Sequence, residues 1–555
     1  MTRLLPSVLL AYLATSTSAF SIPPYNNFAP ASRYSFSQKP LQNPFEAWIQ
    51  KETHISLDRL LANTKPGGRN VEGKNLDVAD GTVVASPNKE NPDYWYQWVR
   101  DAALTTNTLV DIFADDPSSR LSTTISKILD AYASLQRDLQ QASNLGEPKF
   151  NVDGTPFTGA WGRPQLDGPA LRAITLISYV RAYNASHSSL WNTPKGDAFY
   201  AGLYKSELPA QSVIKADLEF VSHSWNDTSF DIWEEVEGMH FFTAMVQLRA
   251  LREGTQIARA FGDAGAANWY AEQAGYLTKY VRRFWNKKKG HLVSTLWSRR
   301  SGLDCSILLA SIHALPSETA DAEPVFAPWS DEVLGSLLEL VQDQQSRFPI
   351  NNISKNKKRS VTDTPTSTSS EDNEEEDPDA EDDSDSDETL SLLSTIPSTS
   401  LLRGTALGRY PEDTYDGVST SSTGNPWFLC TTTAATVLHL TATHLSTTAN
   451  LTITPRGLPF YRALMRTSSL PVEPGVMYGP GDVVLHSIVE RLRNVADEFL
   501  DVVRAHVDAD GAMSEQFDRV TGVEVGARDL SWSYASFLGA ARVRRMGLDK
   551  KTKLR

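Results

Sequence analysis

Carboxylates set among tryptophans and tyrosines recur in four blocks of this 555-residue chain. The first, Pro92-Asp-Tyr-Trp-Tyr-Gln-Trp-Val-Arg-Asp101, puts Tyr94, Trp98 and two further aromatics beside the pair Arg100–Asp101. The second runs from Gly146-Glu-Pro-Lys-Phe-Asn-Val-Asp153 to Gly159-Ala-Trp-Gly-Arg-Pro-Gln-Leu-Asp-Gly-Pro169, a Gly/Pro-rich loop carrying Trp161, Arg163 and Asp167. The third, Phe230-Asp-Ile-Trp-Glu-Glu-Val-Glu-Gly238, places four carboxylates in seven residues around Trp233. The fourth, Gly511-Ala-Met-Ser-Glu-Gln-Phe-Asp518, offers Glu515, and Trp532 follows in Gly526-Ala-Arg-Asp-Leu-Ser-Trp-Ser-Tyr534. Hydrolysis of a glycosidic bond needs two carboxyl groups on opposite sides of the bond, one as acid and one as base. It also needs flat apolar surfaces for sugar rings and polar forks for hydroxyls. Taken singly, each block has an ordinary meaning: a helix N-cap with packed aromatics, a Trp anchoring a loop, a solvated charge run, a surface turn.

The elements that must position these blocks read as mainly helical. Apolar residues recur at three-to-four spacing over 98–113, 122–141, 168–183, 232–251, 268–284, 331–345, 427–440 and 483–507. Alternating strand patterns are short, with 292–296 and 451–454 the best candidates. The connections at 144–165 and 408–426 are long, and long loops on a rigid scaffold are where sites tend to sit. A helix through the third block puts Asp231 and Glu234 on one face and turns Glu235 about 100° away. Asp101 falls near a helix N-terminus, where the dipole favours a carboxylate. Burial of the third block beside its own Trp would raise a Glu pKa, as a general acid requires.

The net charge of −14 is concentrated: residues 371–388 hold 13 carboxylates and no cation. Without a basic face, a nucleic-acid partner has no electrostatic support. Residues 354–399, first basic, then Ser/Thr-rich, then acidic, lack the apolar content to order themselves and read as an insertion within one domain. Arg3 followed by the apolar run Leu4–Leu13 and small residues Thr17-Ser18-Ala19 reads as a signal peptide over 1–19; a short interfacial anchor is the alternative. The run is too short to span a bilayer, and no other stretch approaches that length. Sequons at Asn184, Asn226, Asn352 and Asn450 fit a secretory route. Cys305 and Cys430 are the chain's two cysteines; two buried free thiols are expected over a bridge, because a domain of this size needs no staple. There is no His/Cys ligand cluster, so no metal or organic cofactor is expected.

In their order and content, the four blocks, together with Gly408-Arg-Tyr-Pro-Glu-Asp-Thr-Tyr415 and Gly424-Asn-Pro-Trp-Phe-Leu429, resemble the fungal glucoamylases, the family 15 glycoside hydrolases. The resemblance covers about Phe45 to Ala541, apart from the insertion. It implies an all-α (α/α)6 barrel with the site in loops at one end. It implies inverting release of β-glucose from the non-reducing ends of starch, glycogen or malto-oligosaccharides, with Glu234 as general acid and Glu515 as general base. Inversion leaves room for a water, so the two carboxyls are expected about 6.5–9.5 Å apart. Asp231 and Glu235 resemble supporting carboxylates. Arg100, Asp101 and Arg409 resemble ligands of sugar hydroxyls, and Tyr94, Trp98, Trp161, Trp233 and Trp532 resemble pocket aromatics. A monomeric, secreted enzyme is expected, with vacuolar or cell-wall retention as variants. The chain stops soon after the Trp532 block, so no C-terminal starch-binding domain is expected. Left open are a trehalase or α-1,6-glucan hydrolase on the same barrel, and a glucan-binding protein without catalysis.

Overall fold

The computed structural model describes residues 43–73, 76–316, 323–355 and 401–553. The expected signal peptide, and the expected insertion apart from its first two residues, lie outside them. Among the described residues the chain forms α1 (Pro44–Ala62), α2 (Val99–Asp115), α3 (Arg120–Ala142), α4 (Asp167–Ser186), α5 (Pro194–Leu203), α6 (Val213–Ser224) and α7 (Phe241–Ala260). It continues with α8 (Ala264–Tyr280), α9 (Cys305–His313), α10 (Asp331–Arg347), α11 (Phe428–Thr448), α12 (Leu458–Met465), α13 (Val483–His506) and α14 (Ser531–Lys553). The strands are two- and three-residue pairs that brace loops.

The helices close into two concentric rings. α2 packs on α4, α4 on α7, α7 on α9, α9 on α11, α11 on α14, and α14 back on α2. Around this inner ring, α1 covers α14, α3 covers α2, α6 covers α4, α8 covers α7, α10 touches α9, and α13 covers α11. The architecture is an (α/α)6 barrel. Burial follows position. Inner helices are surrounded: in α4 even Arg172 and Ser178 are buried, and in α11 so are Thr431, Thr432 and Thr433. Their hydroxyls bond back to the helix's own carbonyls, as Thr432 does to Phe428 at 2.9 Å, which makes a fully buried Thr tolerable. Outer helices such as α3 and α13 bury one stripe, in α13 Leu485, Ile488, Val489, Leu492, Val495, Ala496, Phe499, Leu500 and Val503. Among the described residues no helix is long and apolar enough to cross a membrane.

Three sequence expectations need correction. Residues 231–240 are not helical; α7 begins only at Phe241. The expected strand over 292–296 shrinks to His291–Leu292, paired with Trp285–Asn286. Cys305 and Cys430 are not free thiols but a disulfide, with Cα atoms 5.7 Å apart across a sequence separation of 125. Ring closure sets the first residue of α9 beside the third of α11, a proximity that spacing along the chain does not reveal. The bond ties two adjacent inner helices. Replacing both cysteines by alanine should lower stability by about 2–5 kcal/mol, measured as a shorter half-life of activity on heating; an unchanged half-life would show that helix packing alone holds this joint.

Candidate active site

The third block is a tight turn closed by a two-strand brace, with Ser229 opposite Gly238 and Phe230 opposite Glu237. Asp231 builds it. Its amide donates to the Val236 carbonyl and its own carbonyl accepts from the Glu234 amide, both at 3.0 Å. Its carboxylate accepts from the amides of Glu235 (2.7 Å) and Val236 (3.0 Å). Glu234 adopts a φ of 66°, the left-handed region that a β-carbon disfavours. The result is two consecutive glutamates sent to different partners, a stronger divergence than helical geometry supplies.

Oε1 of Glu234 accepts from Trp98 Nε1 (2.8 Å) and Gln165 Nε2 (2.9 Å) and lies 3.4 Å from Arg100 Nη2. Trp98 caps α2, and Arg100 and Asp101 occupy that helix's first turn. Arg100 also reaches Asp167, the first residue of α4, at 3.0 Å. Arg100 Nε is buried without a hydrogen-bond partner among the described residues, 3.8 Å from Asp101 Oδ2. Burial pushes the Asp101 carboxyl up to about 6, with Arg100 opposing the rise.

Glu235 faces the other way. Arg409 Nη2 lies 2.8 Å from its Oε1, Arg300 Nη2 lies 3.1 Å from its Oε2, and the Tyr410 hydroxyl donates to that same oxygen. Arg409 is fixed by a two-pronged bond to Asp413, 2.6 and 2.8 Å. Its guanidinium lies 5.2–5.4 Å from the ring centroids of Trp233, Tyr410, Tyr415 and Trp427, a stacking that suits a flat, weakly hydrated cation. Trp233 is held by its indole N–H, which shares the Asp304 carboxylate at 3.1 Å. The Nε1 of neighbouring Trp427 is buried with no partner among the described residues.

Glu515 comes from the loop just before α14 and is 1% exposed. Its amide donates to Ala527 at 2.8 Å, across the brace formed by Gln516–Phe517 and Glu524–Val525. Tyr94 donates to Oε1 at 2.8 Å and Tyr415 to Oε2 at 3.3 Å. Burial pushes the carboxyl up to about 7, while Tyr94, Arg409 and Tyr415 pull it back. Gly526 makes room for it: at φ 77°, a β-carbon there would stand 2.5 Å from Glu515 Oε2. The Tyr94 and Trp98 rings are 5.4 Å apart. One aromatic wall therefore carries Glu515 at one end and Glu234 at the other, although they are 281 residues apart in sequence.

Trp161 is 36% exposed and packs edge-on against Trp98 at 5.9 Å. Trp532, the second residue of α14, is buried in the main core. Sequence reasoning assigned no role to several residues of the site. Gln165 and Tyr415 lay inside quoted motifs that named only their neighbours. Lys149 carried no signal of its own; its ammonium sits 3.6 Å from the Trp161 centroid and 4.5 Å from that of Trp98, and burial lowers it to about 8. Arg300 and Asp304 lay outside every block.

A closed double ring of helices, with carboxylates and cation-stacked aromatics in the loops at one end, is the arrangement of a glycoside hydrolase built on an (α/α)6 barrel. The family model for glycosyl hydrolases family 15 matches residues 70–378 and 354–542. A glucoamylase-1 of Schizophyllum commune is 34% identical over 508 residues, covering 90% of this chain and 74% of that protein. A solved glucoamylase from Saccharomycopsis fibuligera superposes with a TM-score of 0.74 at 30% identity, covering 94% of this chain and 99% of that one. A relative described as an intracellular, sporulation-specific glucoamylase of Saccharomyces cerevisiae is 31% identical, covering 90% of this chain and 84% of that protein. The chain belongs to glycosyl hydrolases family 15.

Proposed function

We propose that this chain removes glucose from the non-reducing ends of α-1,4-linked glucans, and α-1,6 linkages more slowly, by a single displacement with inversion. The observation that carries the reading is the shared Tyr94–Trp98 wall with Glu515 at one end and Glu234 at the other. Glu234 donates its proton to the leaving glycosidic oxygen. Glu515, ionised, takes a proton from the water that attacks the opposite face. Arg100 and Asp101 grip the terminal glucose, and the unpartnered Arg100 Nε is a free donor for one of its hydroxyls. Glu235 and Arg409 take hydroxyls of the next sugar, against Trp233. Asp231 acts through the turn it holds, as a positioning residue. Time-resolved proton NMR during maltoheptaose digestion tests this: β-glucose should appear first. Early α-glucose would overturn inversion, and turnover of trehalose but not maltose would overturn the substrate class.

The acid limb of kcat/KM should report Glu515. A base works only when ionised, and a carboxyl pushed up to about 7 loses that form as pH falls through 7 rather than through the ordinary carboxylate range. Tyr94→Phe removes a hydrogen bond that favours the ionised form. Its acid limb should therefore move to higher pH, with activity retained on the alkaline side. A limb that stays put or moves down would show that another group sets it.

We place the enzyme on the secretory route as one catalytic domain interrupted near 354–399. The Cys305–Cys430 bond supports an oxidising compartment. A mature N-terminus at Phe20 in secreted material tests the route.

A further inference from the structure

Trp297 is 75% exposed. It stands on the loop between the His291–Leu292 strand and α9, with a φ of 58°. A solitary exposed apolar residue needs no explanation. A bulky aromatic in the left-handed region does, because the strain must be held by its surroundings.

The loop is pinned to the catalytic turn's own continuation. Ser294 accepts from the Phe241 amide at 2.8 Å, and the Leu296 amide donates to Met239 at 3.0 Å. Three residues beyond Trp297, Arg300 reaches Glu235 at 3.1 Å. The indole is steadied by Arg283, whose guanidinium lies 5.3 Å from its centroid and equally far from that of Tyr280. The ring is thus fixed in direction while three-quarters of the residue stays in water.

Direction gives the site its meaning. Glu234 is turned toward Trp98 and Arg100, and Glu235 toward Arg300 and Arg409. With the terminal glucose on the Arg100 side, as proposed above, the rest of a glucan leaves on the Glu235–Arg300 side, along this loop. We propose that Trp297 is a stacking platform for a glucose unit of a longer α-glucan, beyond the sugar adjoining the cleaved bond. Its flat apolar face would receive the C–H face of a pyranose ring. The platform would make the enzyme favour long chains over maltose. This inference rests on the hydrolase reading.

Trp297→Ala and Trp297→Phe, assayed on maltose and maltoheptaose, test it. The alanine variant should lose roughly three- to tenfold in kcat/KM on maltoheptaose, mainly through KM. Maltose turnover should be unchanged, and Phe should restore most of the loss. Equal losses on both substrates would mark Trp297 as a support of the catalytic loop and overturn the platform; so would no loss on either. β-Cyclodextrin, a ring of α-1,4-linked glucose without a non-reducing end, gives a readout free of catalysis. A tryptophan-fluorescence titration present in the wild type and absent in Trp297→Ala would support the platform even if neither maltodextrin were cleaved, in which case the hydrolase reading alone would fall.

Discussion

Glu515→Gln should lower kcat on maltose by roughly 10²–10⁴-fold. Tyr94 and Tyr415 now donate to the carboxylate, and the amide keeps an acceptor for only one of them. The larger loss is chemical, since an amide takes no proton from water. The same loss should appear on α-glucosyl fluoride, because a better leaving group does not activate the nucleophile. Azide, which attacks without giving up a proton, should restore turnover in Glu515→Ala and yield the β-azide, the product of attack on the opposite face. An α-azide would place the nucleophile on the wrong side and remove Glu515 from the role of base. Undiminished maltose hydrolysis by Glu515→Gln would do the same.

Glu234→Gln should produce a loss of similar size on maltose, roughly 10²–10⁴-fold, but a much smaller one on α-glucosyl fluoride. Fluoride departs with little protonation, so it bypasses a missing acid. The turn should survive, because Asp231 holds it through backbone amides and not through the Glu234 side chain. Trp98, Gln165 and Arg100 all aim donors at Oε1, so the amide's carbonyl oxygen can take that place. Equal losses on the two substrates would mean that Glu234 positions the sugar and does not protonate the leaving oxygen. The two variants together separate acid from base by leaving-group dependence, with one pair of substrates.

Legibility in the sequence did not follow burial: helical spacing marked α2, α4, α7 and α11 of the inner ring as well as α3, α8, α10 and α13 of the outer one. α3, α10 and α13, on the outer ring, carry one apolar stripe and were legible by period. α9, Cys-Ser-Ile-Leu-Leu-Ala-Ser-Ile-His, is only nine residues long, so periodicity was mute there. α1 and α6 also went unread. The third block failed for a different reason. Its apolar spacing continues into α7, but Asp231 offers the backbone a local alternative by bonding the amides of residues 235 and 236, which ends any helix before Phe241. Motif resemblance supplied the candidate acid and base without any geometry. What it could not supply were partners that arrive through ring closure: Arg300 and Asp304 on either side of one loop, Tyr415 on Glu515, and the second half of the disulfide.

The joint between α14 and α2 has a consequence for how the molecule is made. Arg542 bonds Asp115 at 2.7 Å across 427 residues, and Tyr94 bonds Glu515 across 421. Contacts of such long range are slow to form, because loop closure must precede any gain. During synthesis the early helices can pair as they emerge, and the Glu234 turn can stand complete among them. Glu515 is made 281 residues after Glu234. A nascent or truncated polypeptide can thus hold the proposed proton donor without the proposed base. On the proposed roles, the pair is complete only once α14 has docked against α1 and α2.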